Sequence, residues 1–195
     1  MLEKFKNPDK LTASKYIAVA MVLSTIDNFV PLLNIISLVL YAVSLNQLIH
    51  EQNNHFKIAR KSLIKMAVAY IVLHLSGFIP DTGIFTVDTS NIVAIISRGI
   101  YTIYFIYLTH YTREGFILDA KYAKINYVKL GLNSPWTVFA LLVMGYYVCK
   151  IVFRYPFPEM VGVFTILSSI LYASKFINSS KMIYGEKITK SNNIK

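Results

Sequence analysis

The stretch STIDNFVPLLN, Ser24–Asn34, interrupts a long apolar run, and its reading decides how the chain is threaded. Between Tyr16 and Ile49 the only formal charge is Asp27 and the only proline is Pro31. As a single helix these 34 residues would measure about 51 Å, against a bilayer hydrocarbon core of about 30 Å. Split at Asp27–Pro31, the run gives two helices of near-spanning length. Asp27 and Asn28 then supply turn chemistry, and Pro31 falls in a first helical turn, where its missing N–H costs nothing. The stretch reads as a hairpin turn.

Composition says what surrounds it. Of the 195 residues, 55% are hydrophobic and 15% charged, against about 25% charged in ordinary soluble domains. The apolar residues come in runs rather than in single stripes, the pattern of membrane spans. The expected fold class is therefore all-α: a polytopic membrane protein of six transmembrane helices, arranged as three consecutive hairpins with both termini cytoplasmic. The spans fall near 12–27, 31–49, 63–79, 91–111, 135–153 and 159–177, in one membrane domain covering 1–195, with a basic tail at 178–195. The first apolar segment lacks a short core followed by a small-residue cleavage site, and is expected to be retained.

Charge placement tests the hairpin independently. With six spans, 17 of the 20 basic residues fall on one side. They lie before Tyr16, in 50–65, in 112–133 and from Lys175 onward, whereas 27–31 and 78–90 carry none. Five spans would put the Lys- and Arg-free 78–90 inside and the basic 50–65 outside, inverting the positive-inside bias. The net charge of +10 thus suits anionic lipid headgroups at the cytoplasmic face, and a nucleic-acid partner is rejected. A prokaryotic cytoplasmic membrane is the expected location. The connection 112–130 places Leu118, Tyr122, Ile125 and Val128 on one face among lysines. It reads either as an interfacial helix or as a solvated loop with helical character.

Motifs for chemistry are few. HEQNNH, His50–His55, spaces its histidines at i and i+5, about 140° apart, where a zinc-protease helix needs i and i+4. IPDTG, Ile79–Gly83, has the Asp-Thr-Gly tripeptide of aspartic proteases but no room for the two lobes those enzymes need. It reads as a glycine turn in water. Cys149 stands alone, so neither a disulfide nor a CxxC pair can form. No metal, no cofactor and no enzymatic activity are expected. Small residues four apart (Ser14/Ala18, Ala20/Ser24, Ser169/Ala173) would let the first and last helices approach neighbours closely.

What remains is a set of ionisable and aromatic groups inside the spans. Arg98 lies seven residues into its span, about 10 Å deep, and His74 about 8 Å deep. Asp27, Lys150 and Glu159 stand at the same outer ends. A charge within a span costs at least about 2.5–3.5 kcal/mol, so Arg98 is expected to face the interior, to pair, or to snorkel. Asp27 is the expected partner, with Asp81 and Asp88 competing. Tyr101, Tyr104, Tyr107 and Tyr111 follow Arg98 at helical spacing, either lining a polar cavity or packing as interface tyrosines. The candidate intramembrane polar site is Arg98, Asp27, His74, Tyr101 and Tyr104. Two function classes follow: a solute- or lipid-binding transport component, or a non-catalytic accessory subunit packed against a membrane-protein partner or a second copy of the chain.

Overall fold

The computed structural model describes residues 9–26, 33–75, 92–153 and 157–185. They form six α-helices: α1 Lys10–Ile26, α2 Leu33–Leu48, α3 Asn54–Leu75, α4 Ile92–Tyr122, α5 Asn133–Val152 and α6 Phe157–Ser180. A 3₁₀ turn, Tyr127–Leu130, precedes α5, and a π turn, Lys181–Gly185, extends α6. Among the described residues there is no strand. Among the described residues two helices are long and apolar enough to cross a membrane, α5 and the continuous α6 with its π turn, Phe157–Gly185. The helix α2 is apolar but shorter, at 16 residues.

Tyr16–Ile49 is two helices, and the residues that join them, Asp27 and Pro31 included, lie outside the described residues. The helices lie against each other, and the ends of the deciding stretch meet: Ser24 Oγ donates to Asn34 Oδ1 at 3.3 Å and contacts Ser37 Oγ at 2.5 Å. Each of the three sequential pairs α1/α2, α3/α4 and α5/α6 packs together, α2 meets α3, α4 meets α5, and α6 closes onto α1. The six helices thus form a ring in chain order. Small residues set the α1 approach, since Ser14, Ala18, Ala20, Ser169 and Ala173 are all buried. Thr25 Oγ1 joins Ser169 Oγ at 2.9 Å across the α1/α6 seam.

An aromatic spine fills the ring. Tyr184 meets Phe116, Phe116 meets Phe176 with ring centroids 4.3 Å apart, and the series continues through Tyr172, Phe139, Phe105 and Tyr101. Such offset and edge-to-face pairs add about 0.5–1.5 kcal/mol each beyond area burial. Two glycines admit close neighbours. A Cβ on Gly115 would sit 2.6 Å from Phe56 Cε1, and one on Gly99 would sit 2.7 Å from the Tyr147 hydroxyl.

Small hydroxyl residues share the interior with the apolar core, and many large aliphatics are exposed. Ser14, Ser37, Ser44, Thr109 and Ser169 are wholly buried, while Leu141 is 69% exposed and Leu171 67%. Many buried hydroxyls are satisfied within their own helices, as where Ser44 Oγ donates to Leu40 O at 2.7 Å and Thr112 Oγ1 to Leu108 O at 2.7 Å.

The 112–130 connection begins as a continuation of a helix. The helix α4 runs on to Tyr122, and Thr112, Arg113, Phe116, Asp119 and Ala120 are buried. It ends with Lys124 in the left-handed region at φ 60°, where Ile125 N donates to Ala120 O and Lys124 N to Lys121 O. These are the paired bonds that close a helix C-terminus. Two of its charges, Arg113 and Asp119, are buried, while Lys121, Lys124 and Lys129 stay exposed. Arg113 lies over the Trp136 ring at 4.2 Å and bonds Glu114 and His110.

Candidate functional site

One end of the ring carries the ends of α1 and α5 and the starts of α2, α4 and α6; call it the far end. There a cavity of about 40 Å³ is bounded by Ser24 and Thr25 of α1, Arg98, Tyr101 and Thr102 of α4, Tyr146, Tyr147 and Lys150 of α5, and Thr165 of α6. Four helices converge on it, and each contributes a hydroxyl. The Tyr147 hydroxyl donates to Ile95 O at 2.8 Å, and Gly99 leaves the space for it. Lys150 Nζ stands 5.1 Å from the Tyr146 ring. Glu159, in the first turn of α6, acts electrostatically on Lys150 but does not bound the cavity.

Next to the cavity, hydroxyls and one amide tie the helices together. Tyr101 donates to Asn34 Oδ1 at 2.8 Å, the same oxygen that Ser24 reaches. Ser37 donates to Ala20 O at 2.8 Å. Asn34 is 1% exposed, so its carbonyl is the buried acceptor through which α1, α2 and α4 are joined.

Of the residues singled out from the sequence, Arg98 and Tyr101 come together at this cavity. Tyr104 does not border it. Its ring receives Lys65 Nζ at 5.1 Å and packs on Tyr107, which is 48% exposed. The tyrosine stripe drifts about 120° from position 101 to position 107 at 100° per residue, and of its members only Tyr101 borders the cavity. Asp27, Asp81, Asp88 and the side chain of His74 lie outside the described residues. Lys150, Asn34 and the hydroxyls of Thr25 and Thr165 complete the site. Lys150 was recognisable as an outer-end charge, whereas the hydroxyl residues carry no sequence signal beyond being polar in apolar runs.

At the near end, which carries Lys10, His50, Tyr122 and Gly185, a second polar cluster closes on Asp119. This carboxylate is 7% exposed. Its Oδ1 accepts from Asn53 Nδ2 at 2.7 Å and lies 3.0 Å from His50 Nε2, and its Oδ2 accepts from the Tyr184 hydroxyl at 2.5 Å. Asn53 also donates to Gly115 O at 2.8 Å, while its own Oδ1 accepts from His55 N. A carboxylate only accepts, so Tyr184 and Asn53 are its donors and the cluster is a single charged acceptor shared by three elements. A larger cavity, about 680 Å³, opens beside the cluster between Asp9, Lys10, His50, Glu51 and Tyr122. His50 and His55 of HEQNNH thus diverge, one to Asp119 and the other stacked on Tyr111 with centroids 6.2 Å apart.

Comparison with protein-family models, curated proteins and solved structures finds no match.

Proposed function

We propose that the chain is a six-span integral membrane protein that binds a solute or lipid at the far end of its ring, as a component of transport. The exposed aliphatic surface supports the membrane reading. Each large aliphatic side chain left in water rather than buried forgoes about 1.5–3 kcal/mol. Ile64, Val68 and Ile71 on α3, Val138 and Leu141 on α5, and Phe164 and Leu167 on α6 are all about half exposed or more. A hydrocarbon solvent removes that cost, and it suits the burial of serines and threonines at helix seams beside the apolar core. With α3 and α4 spanning as well, the basic connections lie at the near end, which becomes the cytoplasmic side.

The observation that carries the binding reading is the meeting of Arg98, Lys150 and hydroxyls from four helices at one cavity. Charges placed within spans ordinarily mark substrate or ion pathways. Native mass spectrometry of the gently extracted protein tests it: a small molecule or lipid retained by wild type and lost from Arg98→Gln is expected. A second reading, a non-catalytic accessory subunit, is favoured by the size of the cavity, since about 40 Å³ does not admit a whole metabolite. A stoichiometric protein partner with no retained small molecule in the same experiment would select that reading instead.

A further inference from the structure

We infer that the far-end cavity takes a single oxyanion group, a phosphate or carboxylate, held between Arg98 and Lys150. This deepens the binding reading above and rests on it. The two cations come from facing helices, α4 and α5, yet bound the same space. Among the lining hydroxyls, Ser24, Thr25 and Thr165 donate their protons to Asn34 Oδ1, Val22 O and Val161 O, so an oxyanion there relies on the two cations, with Thr102 beside them. Charge-assisted hydrogen bonds of this kind are roughly twice as strong as neutral ones, and Arg presents a planar fork matched to two oxygens.

Size narrows the class further. A water needs on the order of 10–15 Å³ of such space, so the cavity's volume of about 40 Å³ corresponds to roughly three water oxygens. That is the extent of one carboxylate or phosphate head. The body of a larger ligand must remain outside, beyond Lys150 and Ile151 at the end of α5. Glu159 acts electrostatically on Lys150 and Tyr146 without bounding the cavity, so a bound oxyanion competes with its carboxylate for Lys150. Two sources share this chemistry: a free inorganic oxyanion and the phosphate of an anionic lipid entering from the outer leaflet.

The experiment uses the full chain in detergent and in nanodiscs. Thermal unfolding is followed as sodium phosphate replaces sodium chloride at constant ionic strength. A saturable rise in melting temperature is expected for wild type, at least tenfold weaker in apparent affinity for Lys150→Met and for Arg98→Gln, and unchanged for Lys65→Met. Lys150→Met keeps the length and apolar stem of lysine, and its melting temperature in chloride alone reports whether it is folded. In parallel, nanodiscs of phosphatidylcholine alone and with phosphatidylglycerol added are compared by native mass spectrometry. Phosphate stabilisation without lipid retention assigns a free oxyanion, and phosphatidylglycerol retention that depends on Lys150 assigns a headgroup. If phosphate has no effect and phosphatidylglycerol is not preferred, the inference is overturned. It is likewise overturned if Asp27→Asn creates phosphate binding that wild type lacks, since an internal acid then fills the site. A neutral or cationic ligand retained equally by wild type and Lys150→Met would overturn the oxyanion assignment while leaving the binding reading standing.

Discussion

Replacing Asp119 by alanine removes the acceptor on which three elements close: the turn before α3, the end of α4 and the π turn after α6. Two donors, Asn53 and Tyr184, and the neighbouring His50 lose a charged partner, and hydrogen bonds to charged groups are worth about 1.5–3 kcal/mol each. The losses are unequal. The side chain of His50 is 28% exposed and turns to water at little cost. Asn53 keeps its bond to Gly115 O. The Tyr184 hydroxyl, on a residue 8% exposed, is stranded. Removing a buried charge returns part of the cost of desolvating it, so the net loss is about 3 kcal/mol. For a chain of this length, that corresponds to a melting temperature roughly 6–12 °C lower. Thermal unfolding in one fixed detergent measures it. Asp119→Asn keeps one acceptor oxygen and should lose about half as much. Tyr184→Phe should cost about 1 kcal/mol alone and almost nothing on top of Asp119→Ala, because both act on one network. A melting temperature for Asp119→Ala within about 1 °C of wild type would show that the cluster does not hold the near end together.

Three further outcomes follow from single contacts. Gly115→Ala drives a methyl into Phe56 and should destabilise by about 1–3 kcal/mol, whereas Gly145→Ala, with nothing within 4 Å of the new atom, should be neutral or stabilising by up to about 1 kcal/mol; parallel melting curves compare them. Asn34→Ala leaves Tyr101 and Ser24 without their shared acceptor and should cost about 1–3 kcal/mol, read by the same melts, with Tyr101→Phe restoring part of the loss in the double variant. Asp9 caps α1 through Thr12 N–H at 2.8 Å and Thr12 Oγ1 at 2.9 Å. Slight burial pushes its carboxyl pKa up, but bonds from Thr12 and Leu11 and the charge of Lys15 outweigh this and hold it below the ordinary value. A lowered folded pKa means stability present above the unfolded value, about 3.9, and lost as pH falls through the folded one. The advantage of wild type over Asp9→Asn, under about 1 kcal/mol at so exposed a site, should therefore be present at pH 6 and shrink progressively as pH falls below about 4 in paired melts.

The division of Tyr16–Ile49 into two helices was legible from length: 34 residues are too many for one span of about 20. Helical character was legible for the same reason. The buried end of α4 was not, because Lys121, Lys124 and Lys129 made the segment read as an interfacial helix or a solvated loop. The burial of Arg113 and Asp119 depends on Trp136, Asn53 and Tyr184, which are distant in sequence and bring no pattern of their own to position 119. At the candidate site, Arg98 stood out as a charge among apolar neighbours, and Tyr101 followed from helical spacing. Tyr104 shared that spacing but not the facing, since a stripe at 3 and 4 residues drifts around the helix. Asn34 lay inside the deciding stretch itself, and its role as acceptor for Tyr101 emerges only once α2 and α4 are side by side.

The most direct test of the six-span reading is cysteine accessibility in a Cys149→Ala background, which removes the only native thiol. Thr89→Cys, in the Lys- and Arg-free connection before α4, should react with a membrane-impermeant maleimide in intact cells. Asn54→Cys, exposed at the start of α3, should react only after the cells are permeabilised. Labelling of Asn54→Cys in intact cells would contradict the topology, move the Arg98–Lys150 cavity to the other face, and remove the charge-placement basis of the proposed function.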